Sequence, residues 1–396
     1  MTERLYYADP YLKEFSALVL AVETAPDGRR LAVLDRTAFY PTSGGQPFDT
    51  GTLGAARVID VVDRDDGLIV HVFEGELTSG PIEGRIDWDR RFDHMQQHTG
   101  QHVLSAAFDR LAQARTESFH LGISSATIDL AREVSPDEIR RAEAEANRVV
   151  WEDRPVAIRF ASAEEAAALP LRKEPARGGE LRLIEVEGFD ISACGGTHVG
   201  RTGAVGVIAV GSWERFRGGT RVEFRCGARA LGAYHHLRDT MGAATRLLSV
   251  LPSEVAPAIE RLQAEGRGAK RENKALQLRL AAFEADALAA TAEKIGDMSA
   301  VVATVEGWDA NGLKAIAAHI AARPKHAAVL IGMPAPAAVV AARAADVPLD
   351  CAALVKQLAA RFGGKGGGRP ELSQGGGLTA GGGEIVEFAR TLLSGA

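Results

Sequence analysis

Two short segments carry the residue types that hold a borderline-soft divalent metal: His98-Thr99-Gly100-Gln101-His102 and Cys194-Gly195-Gly196-Thr197-His198. Helical side chains four apart share a face, so His98 and His102 can offer two imidazoles to one ion. In the second segment a thiolate and an imidazole stand on a glycine-containing loop that can bend tightly enough for both to converge. Cys and His are the ligands zinc prefers. Taken alone, each segment reads equally well as surface or core residues. Both occur inside one expected domain of a chain with ten histidines and three cysteines, and together they point to a metal centre. His94 lies one turn before His98 and reads as a supporting or solvent-facing residue, since three helix histidines would splay over three turns.

Other segments have the chemistry to meet a substrate or an RNA. The turn Thr42-Ser43-Gly44-Gly45-Gln46-Pro47 either brings backbone and the Gln46 amide to a substrate or is an ordinary hairpin turn. Residues 213–229 hold Arg215, Arg217, Arg221, Arg225 and Arg229 against two glutamates, with Trp213, Phe216 and Phe224 interleaved. That mixture suits phosphate contact and base stacking, or else a solvated charged face. Arg361, Lys365 and Arg369 accompany 11 glycines in residues 361–383, where free backbone amides could cradle phosphates or simply form a flexible linker.

The elements that must position these groups follow from pattern. At 396 residues the chain is long enough for two to four domains, and its 46% apolar and 25% charged content is that of a globular protein with a real core. A net charge of −6 does not by itself advertise a nucleic-acid binder. Three cysteines exclude a disulfide scaffold and fit a reducing, cytoplasmic setting. No leader-like apolar stretch opens the chain and no long uncharged run follows, so neither secretion nor membrane spanning is expected.

The expected fold class is α+β multidomain. Residues 1–86 read as a small β-barrel, from short β-rich runs broken by turn residues. Residues 87–248 read as the zinc-binding domain. There the helical texture begins at DWDRRFDHMQQHTGQHVLS, a capping box opens a second helix at Ser135-Pro136-Asp137-Glu138, and strands are expected at residues 181–186, 205–210 and 220–226. Residues 249–296 read as a helical linker. In it Val255, Leu262, Ala269, Leu276 and Phe283 are spaced by seven beside Ile259, Gly266, Asn273 and Leu280, a pattern that fits a homodimeric coiled coil or a helix packed on its own chain. Residues 297–396 alternate strand and helix and end in a helix near residues 384–393.

FYPTSGGQPFDTG, RRFDHMQQHTGQHVLS and CGGTHVG together resemble the editing domain of alanyl-tRNA synthetase and its freestanding AlaX-type relatives. GGKGGGRPELSQGGG resembles the DHH-associated C-terminal domain that also ends the synthetase. The resemblance spans essentially the whole chain, and with no aminoacylation segment before Met1 it implies the long freestanding form. It implies trans-editing of tRNA(Ala) mischarged with serine, and in some members glycine. It also implies one Zn²⁺ per chain on His98, His102, Cys194 and His198, and a tRNA-contacting C-terminal domain. No ATP site is expected. The segment Thr116–Leu121 with Gly122 resembles the strand that lines the amino-acid pocket, and Gln101 stands between the helix ligands.

An aminoacyl ester is already reactive, so catalysis need only place a water and polarise one carbonyl. Four protein ligands make a closed site, which argues that the metal orients substrate at least as much as it makes hydroxide. Alanine is smaller than serine, so the pocket must reward the serine hydroxyl, and Thr37, Gln101, Ser118 and His120 are the candidates by chemical type. Gly44, Gly45, Gln46, Arg215, Arg217, Arg221, Lys365 and Arg369 are the candidate substrate and tRNA contacts. A non-catalytic, zinc-stabilised RNA-binding protein is the competing reading. A metalloprotease of the H-E-x-x-H kind is disfavoured by the absence of glutamate after His98.

Overall fold

The computed structural model describes residues 1–172 and 181–395. Its contacts divide the chain into two units, Met1–Ala243 and Ala244–Ala396.

The first unit opens with six strands that close into a barrel: β1 (Glu14–Thr24), β2 (Arg30–Leu34), β3 (Gly51–Leu53), β4 (Ala56–Asp63), β5 (Ile69–Glu74) and β6 (Gly80–Ile86), in the order β1-β2-β5-β4-β3-β6. Strict alternation drives closure. Phe15, Ala17 and Val19 of β1 point inward with Val58, Val61 and Phe73, while the residues between them face solvent.

After Asp87 the chain enters α1 (Trp88–Ala112), which is buried along most of its length although much of its sequence is polar. Those polar groups are partnered. Gln97 takes the place of a strand neighbour for Cys226, accepting from its N–H at 2.8 Å and donating to its carbonyl at 3.0 Å. Arg91, fully buried, forks onto Asp49 and the carbonyls of Pro10 and Ala38, which ties the helix to the barrel.

Around α1 stand a four-stranded and a three-stranded antiparallel sheet. The first comprises β7 (Thr116–Leu121), β8 (Ala126–Leu130), β12 (Ile208–Phe216) and β13 (Gly219–Cys226), in the order β12-β13-β8-β7. The second comprises β9 (Val156–Ala161), β10 (Leu181–Val186) and β11 (Asp190–Ala193). Helix α2 (Pro136–Trp151) begins with the capping box at Ser135 and Glu138 and buries Ile139, Ala142, Ala146 and Val149 against α1. The strand expected at residues 205–210 begins only at Ile208. Residues Thr202–Val205 form a 3-10 turn instead, and Gly206 leaves it at φ +82°.

In the second unit α4 (Val255–Ala289), which follows α3 (Gly227–Leu248), precedes a six-stranded mixed sheet. Its strands are β14 (Glu293–Ile295), β15 (Met298–Glu306), β16 (His326–Met333), β17 (Ala337–Arg343), β18 (Lys365–Arg369) and β19 (Leu372–Leu378), ordered β14-β15-β16-β17-β19-β18. Helices α5 (Ala310–Ala321), α6 (Cys351–Phe362) and α7 (Gly382–Ser394) complete it. The glycine-rich stretch is a hairpin, not a linker. Val355 of α6 lies where a Cβ on Gly366 or Gly375 would sit, so those strands must be bare to seat the helix.

Helix α4 packs on α5 through Ala281, Ala285 and Leu288. The seven-spaced series faces elsewhere: Leu262, Leu276, Leu280 and Phe283 are each more than half exposed. Among the described residues no helix is long and apolar enough to cross a membrane.

Candidate metal and active site

His98 and His102 stand one turn apart on α1, and the loop after β11 carries Cys194 and His198 to the same point. One ligand atom from each of the four lies within 4.8 Å of all the others. Cys194 Sγ is 3.4 Å from His98 Nε2 and 3.3 Å from His198 Nε2. Tetrahedral zinc with ordinary bond lengths puts sulfur and nitrogen about 3.6 Å apart, so these two contacts lie within a few tenths of an ångström of that spacing.

Glycine permits the close approach. A Cβ on Gly196 would fall 2.2 Å from His98 Cε1 and 3.0 Å from Gln46 Oε1. Arg182 then fastens the loop, donating to the carbonyls of Cys194 at 2.8 Å and Gly196 at 2.9 Å.

Each imidazole is also held from behind, which frees its Nε2 for the common point. His98 Nδ1 lies 2.8 Å from Gln46 Oε1, His198 Nδ1 3.1 Å from Thr99 Oγ1, and His102 Nδ1 3.2 Å from Asp190 Oδ2. Such outer partners set the tautomer and ring orientation of a metal-binding histidine. Burial alone would raise the Cys194 thiol, yet the neighbouring His98 and His198 hold it well below the ordinary thiol value. Burial pushes His198 down to about 3, with His98 adding to the shift. Burial opposes the charge on Asp190 too, but His102 and Arg172 hold its carboxyl well below the usual range. Burial likewise opposes the charge on His102, yet its hydrogen bonds to Asp190 and Cys194 raise it above the ordinary imidazole value. The cysteine is held in the thiolate form that binds a metal. The four residues form a buried cluster able to bind a metal ion.

The cluster opens on a cavity of about 200 Å³. Gln101 and Gly44 line it beside His98, His102 and Cys194, and Ser118 contributes to its edge. The Ser118 hydroxyl itself is committed to Asp129 at 2.5 Å. His120 is exposed, and neither it nor Thr37 is among the lining residues. Thr37 is fully buried, 2.8 Å from His71 Nε2. Gly44 and Gly45, at φ +55° and +85°, turn the chain back between Ser43 and Gln46. A Cβ on Gly45 would strike the Phe119 carbonyl at 2.7 Å, so this turn lies directly on β7. Gln46 is buried. Its Nε2 donates to Thr197 Oγ1 at 2.8 Å while its Oε1 faces His98 and the Thr197 N–H, so the amide joins the turn to the cysteine loop.

His94 is buried rather than solvent-facing and stands outside the cluster. Of the arginine-rich ribbon, Arg221 forks onto Asp129 and stacks on Phe216 at 3.6 Å, Arg225 pairs with Glu223, and Arg229 pairs with Asp93. Arg215 reaches Glu133 from a largely exposed position, and Arg217 lies over Phe216. Lys365 and Arg369 are exposed on β18, the sheet's edge strand.

Asp190 and Thr99, which brace cluster histidines, and Arg172, which holds Asp190, are singled out by no motif in the sequence. Asp190 lies four residues before Cys194, and that proximity to a ligand was the available signal.

Comparison with known proteins agrees with this organisation. Residues 297–394 match the DHHA1 domain, and residues 181–223 match the threonyl and alanyl tRNA synthetase second additional domain. The alanyl-tRNA editing protein AlaX-L of Pyrococcus horikoshii is 35% identical over 393 residues, covering 95% of this chain and 94% of that protein. The alanine–tRNA ligases of Methanoregula boonei and Pyrococcus abyssi are each 34% identical over 95% and 94% of this chain. The chain spans 42% of the length of each ligase. Near-complete mutual coverage with the editing protein, at this identity, places the chain in the AlaX-L family of alanyl-tRNA editing proteins.

Proposed function

We propose that the chain is a zinc-dependent trans-editing hydrolase that cleaves the ester of tRNA(Ala) mischarged with serine, and by extension with glycine. The observation that carries this reading is the convergence of three back-braced imidazoles and one thiolate, with His98, His102 and Cys194 on the wall of a small cavity. The donor set fits zinc, one ion per chain on His98, His102, Cys194 and His198. When bound, zinc would supply Lewis-acid polarisation of the ester carbonyl.

The chain's own residues do the rest. Gln46, Thr99 and Asp190 keep the imidazoles in one orientation, so no reorganisation accompanies reaction. Gln101 lines the cavity with its Nε2 donated to Ser105 Oγ at 2.9 Å, which leads us to assign its carbonyl oxygen to the serine hydroxyl. Alanine lacks that hydroxyl and would leave the acceptor unpaired. Thr37, Ser118 and His120 are kept as further pocket candidates. Their placement favours them less than Gln101. Gly44 and Gly45 form the rim against β7, and Gln46 acts through His98.

We assign tRNA contacts to Arg215, Arg217 and Arg221 in the first unit and to Lys365 and Arg369 in the second; all but Arg221, which is half-buried and paired with Asp129, are exposed cations that can meet phosphates. The exposed series on α4, Leu262, Leu276, Leu280 and Phe283, is proposed to pair with a second copy of the chain. The test of the function is release of serine from Ser-tRNA(Ala) by the zinc-loaded protein, with and without a chelator. Chelator-sensitive release supports it. Tight tRNA binding without release would favour a zinc-stabilised RNA-binding protein.

A further inference from the structure

Among the described residues, two side chains of fixed charge line the cavity beside the metal cluster, Arg172 and Glu117. Arg172 is spent: its Nε donates to Asp190 Oδ1 at 2.7 Å and its Nη2 to Asp190 Oδ2 at 3.2 Å. The carboxylate of Glu117 takes part in no hydrogen bond or ion pair among the described residues.

Its direction follows from the strand. Strands β7 and β8 pair regularly from Leu121 to Ser118, and then Leu130 is matched with Thr116, which leaves Glu117 as one extra residue in β7. Phe119 lies on the cavity side, its ring stacked on His98 at 5.3 Å. Ser118 points the other way, to Asp129. Thr116 is again on the inner side, donating to Ser105 Oγ of α1 at 2.7 Å. Alternation from Ser118 sets Glu117 on the cavity face, where it lines the cavity and remains exposed to solvent, and the bulge lets Glu117 and Thr116 share that face. Bulges of this kind re-aim a side chain at a site.

We propose that Glu117 receives the α-ammonium group of the aminoacyl ester. The inference rests on the deacylase reading above and names how that site grips its substrate. An aminoacyl ester carries one positive charge, on the nitrogen attached to the carbon next to the scissile carbonyl. Drawing that carbonyl toward a metal cation brings the ammonium into a repulsive field. A carboxylate on the cavity wall, two residues along the strand from the ring stacked on His98, offsets that repulsion. A strand rises about 3.4 Å per residue, so Glu117 stands about 7 Å along β7 from Phe119, a span suited to an amino acid bound between them. Charge-assisted hydrogen bonds of this type fix orientation as well as affinity.

The experiment compares kcat/KM of the zinc-loaded full-length protein and its Glu117→Gln variant on Ser-tRNA(Ala) and on N-acetyl-Ser-tRNA(Ala), which lacks the ammonium charge. Glu117 is exposed, so the variant is expected to fold, and its zinc content and circular dichroism check this. The proposal expects Glu117→Gln to lower kcat/KM for the free-amine ester by about tenfold, the size of one charged hydrogen bond, and to leave the acetylated ester unchanged. Glu117→Asp should recover part of the loss. Equal slowing of both esters would overturn the proposal and assign Glu117 to water activation or to structure. No slowing of either would overturn it as well. Wild-type protein inert toward both esters would instead overturn the deacylase reading beneath it.

Discussion

His102 Nδ1 lies 3.2 Å from Asp190 Oδ2, and Arg172 closes on the same carboxylate through Nε at 2.7 Å. The arrangement sets the ring orientation of an imidazole of the candidate metal cluster through a buried carboxylate that is itself held in place. Asp190→Asn keeps the shape and removes the charge. The variant should bind zinc about 10–100-fold more weakly, as loss of such a partner commonly does. Competition against a chromogenic chelator measures this, and unchanged affinity would mean that Asp190 serves the fold alone.

Gln46 braces His98 and the cysteine loop together. Gln46→Ala should therefore cost stability and zinc affinity at once, with about 1–3 kcal/mol lost for the buried partners left unmatched. Denaturant unfolding of the zinc-free and zinc-loaded forms separates the two effects. A variant that unfolds like wild type but has a raised KM would show instead that this amide meets the substrate.

The four residues of the cluster were legible because their types and spacings are rare in so cysteine-poor a chain, and the barrel because its alternation has period two. The braces were not. Gln46 sits in a Gly-Gly turn that reads as a substrate contact or an ordinary hairpin turn, and only the packing of that turn on β7 buries it. Asp190 and Thr99 are common polar residues whose roles appear only when β11 and α1 are brought together. The hairpin of β18 and β19 was hidden by glycine, which signals a loop until the Val355 side chain is seen to fill the space above it. Strand β17, alanine-rich and preceded by Pro334 and Pro336, lacked a clear β signature.

Stability of the first unit should fall as pH drops below about 6.5. Burial pushes His71 down to about 4, and burial together with the charges of Arg90, Arg229 and Arg91 pushes His94 down to about 3. Unfolded histidine titrates near 6.5, so between these values the unfolded chain binds more protons and acid favours it. From pH 7 to 5.5 each residue should cost on the order of 1 kcal/mol. Urea unfolding at the two pH values tests this, and His71→Gln should flatten the dependence. An unchanged slope in that variant would remove His71 from the account.

The exposed series on α4 predicts self-association. Wild-type protein should sediment as a dimer, and a Leu262→Glu, Leu276→Glu variant as a monomer, because charges placed in a paired helical seam are not tolerated. Two monomers of equal mass would mean that the series has no second chain to meet.

The cluster of His98, His102, Cys194 and His198 is assigned above to ester hydrolysis. Its most direct test is the initial rate of serine release from Ser-tRNA(Ala) by zinc-loaded wild type and by Cys194→Ala, with Ala-tRNA(Ala) as the parallel substrate. Wild type should release serine rapidly and alanine much more slowly, and Cys194→Ala should lose the serine activity together with zinc. Serine release at the wild-type rate by a zinc-free Cys194→Ala protein would contradict it.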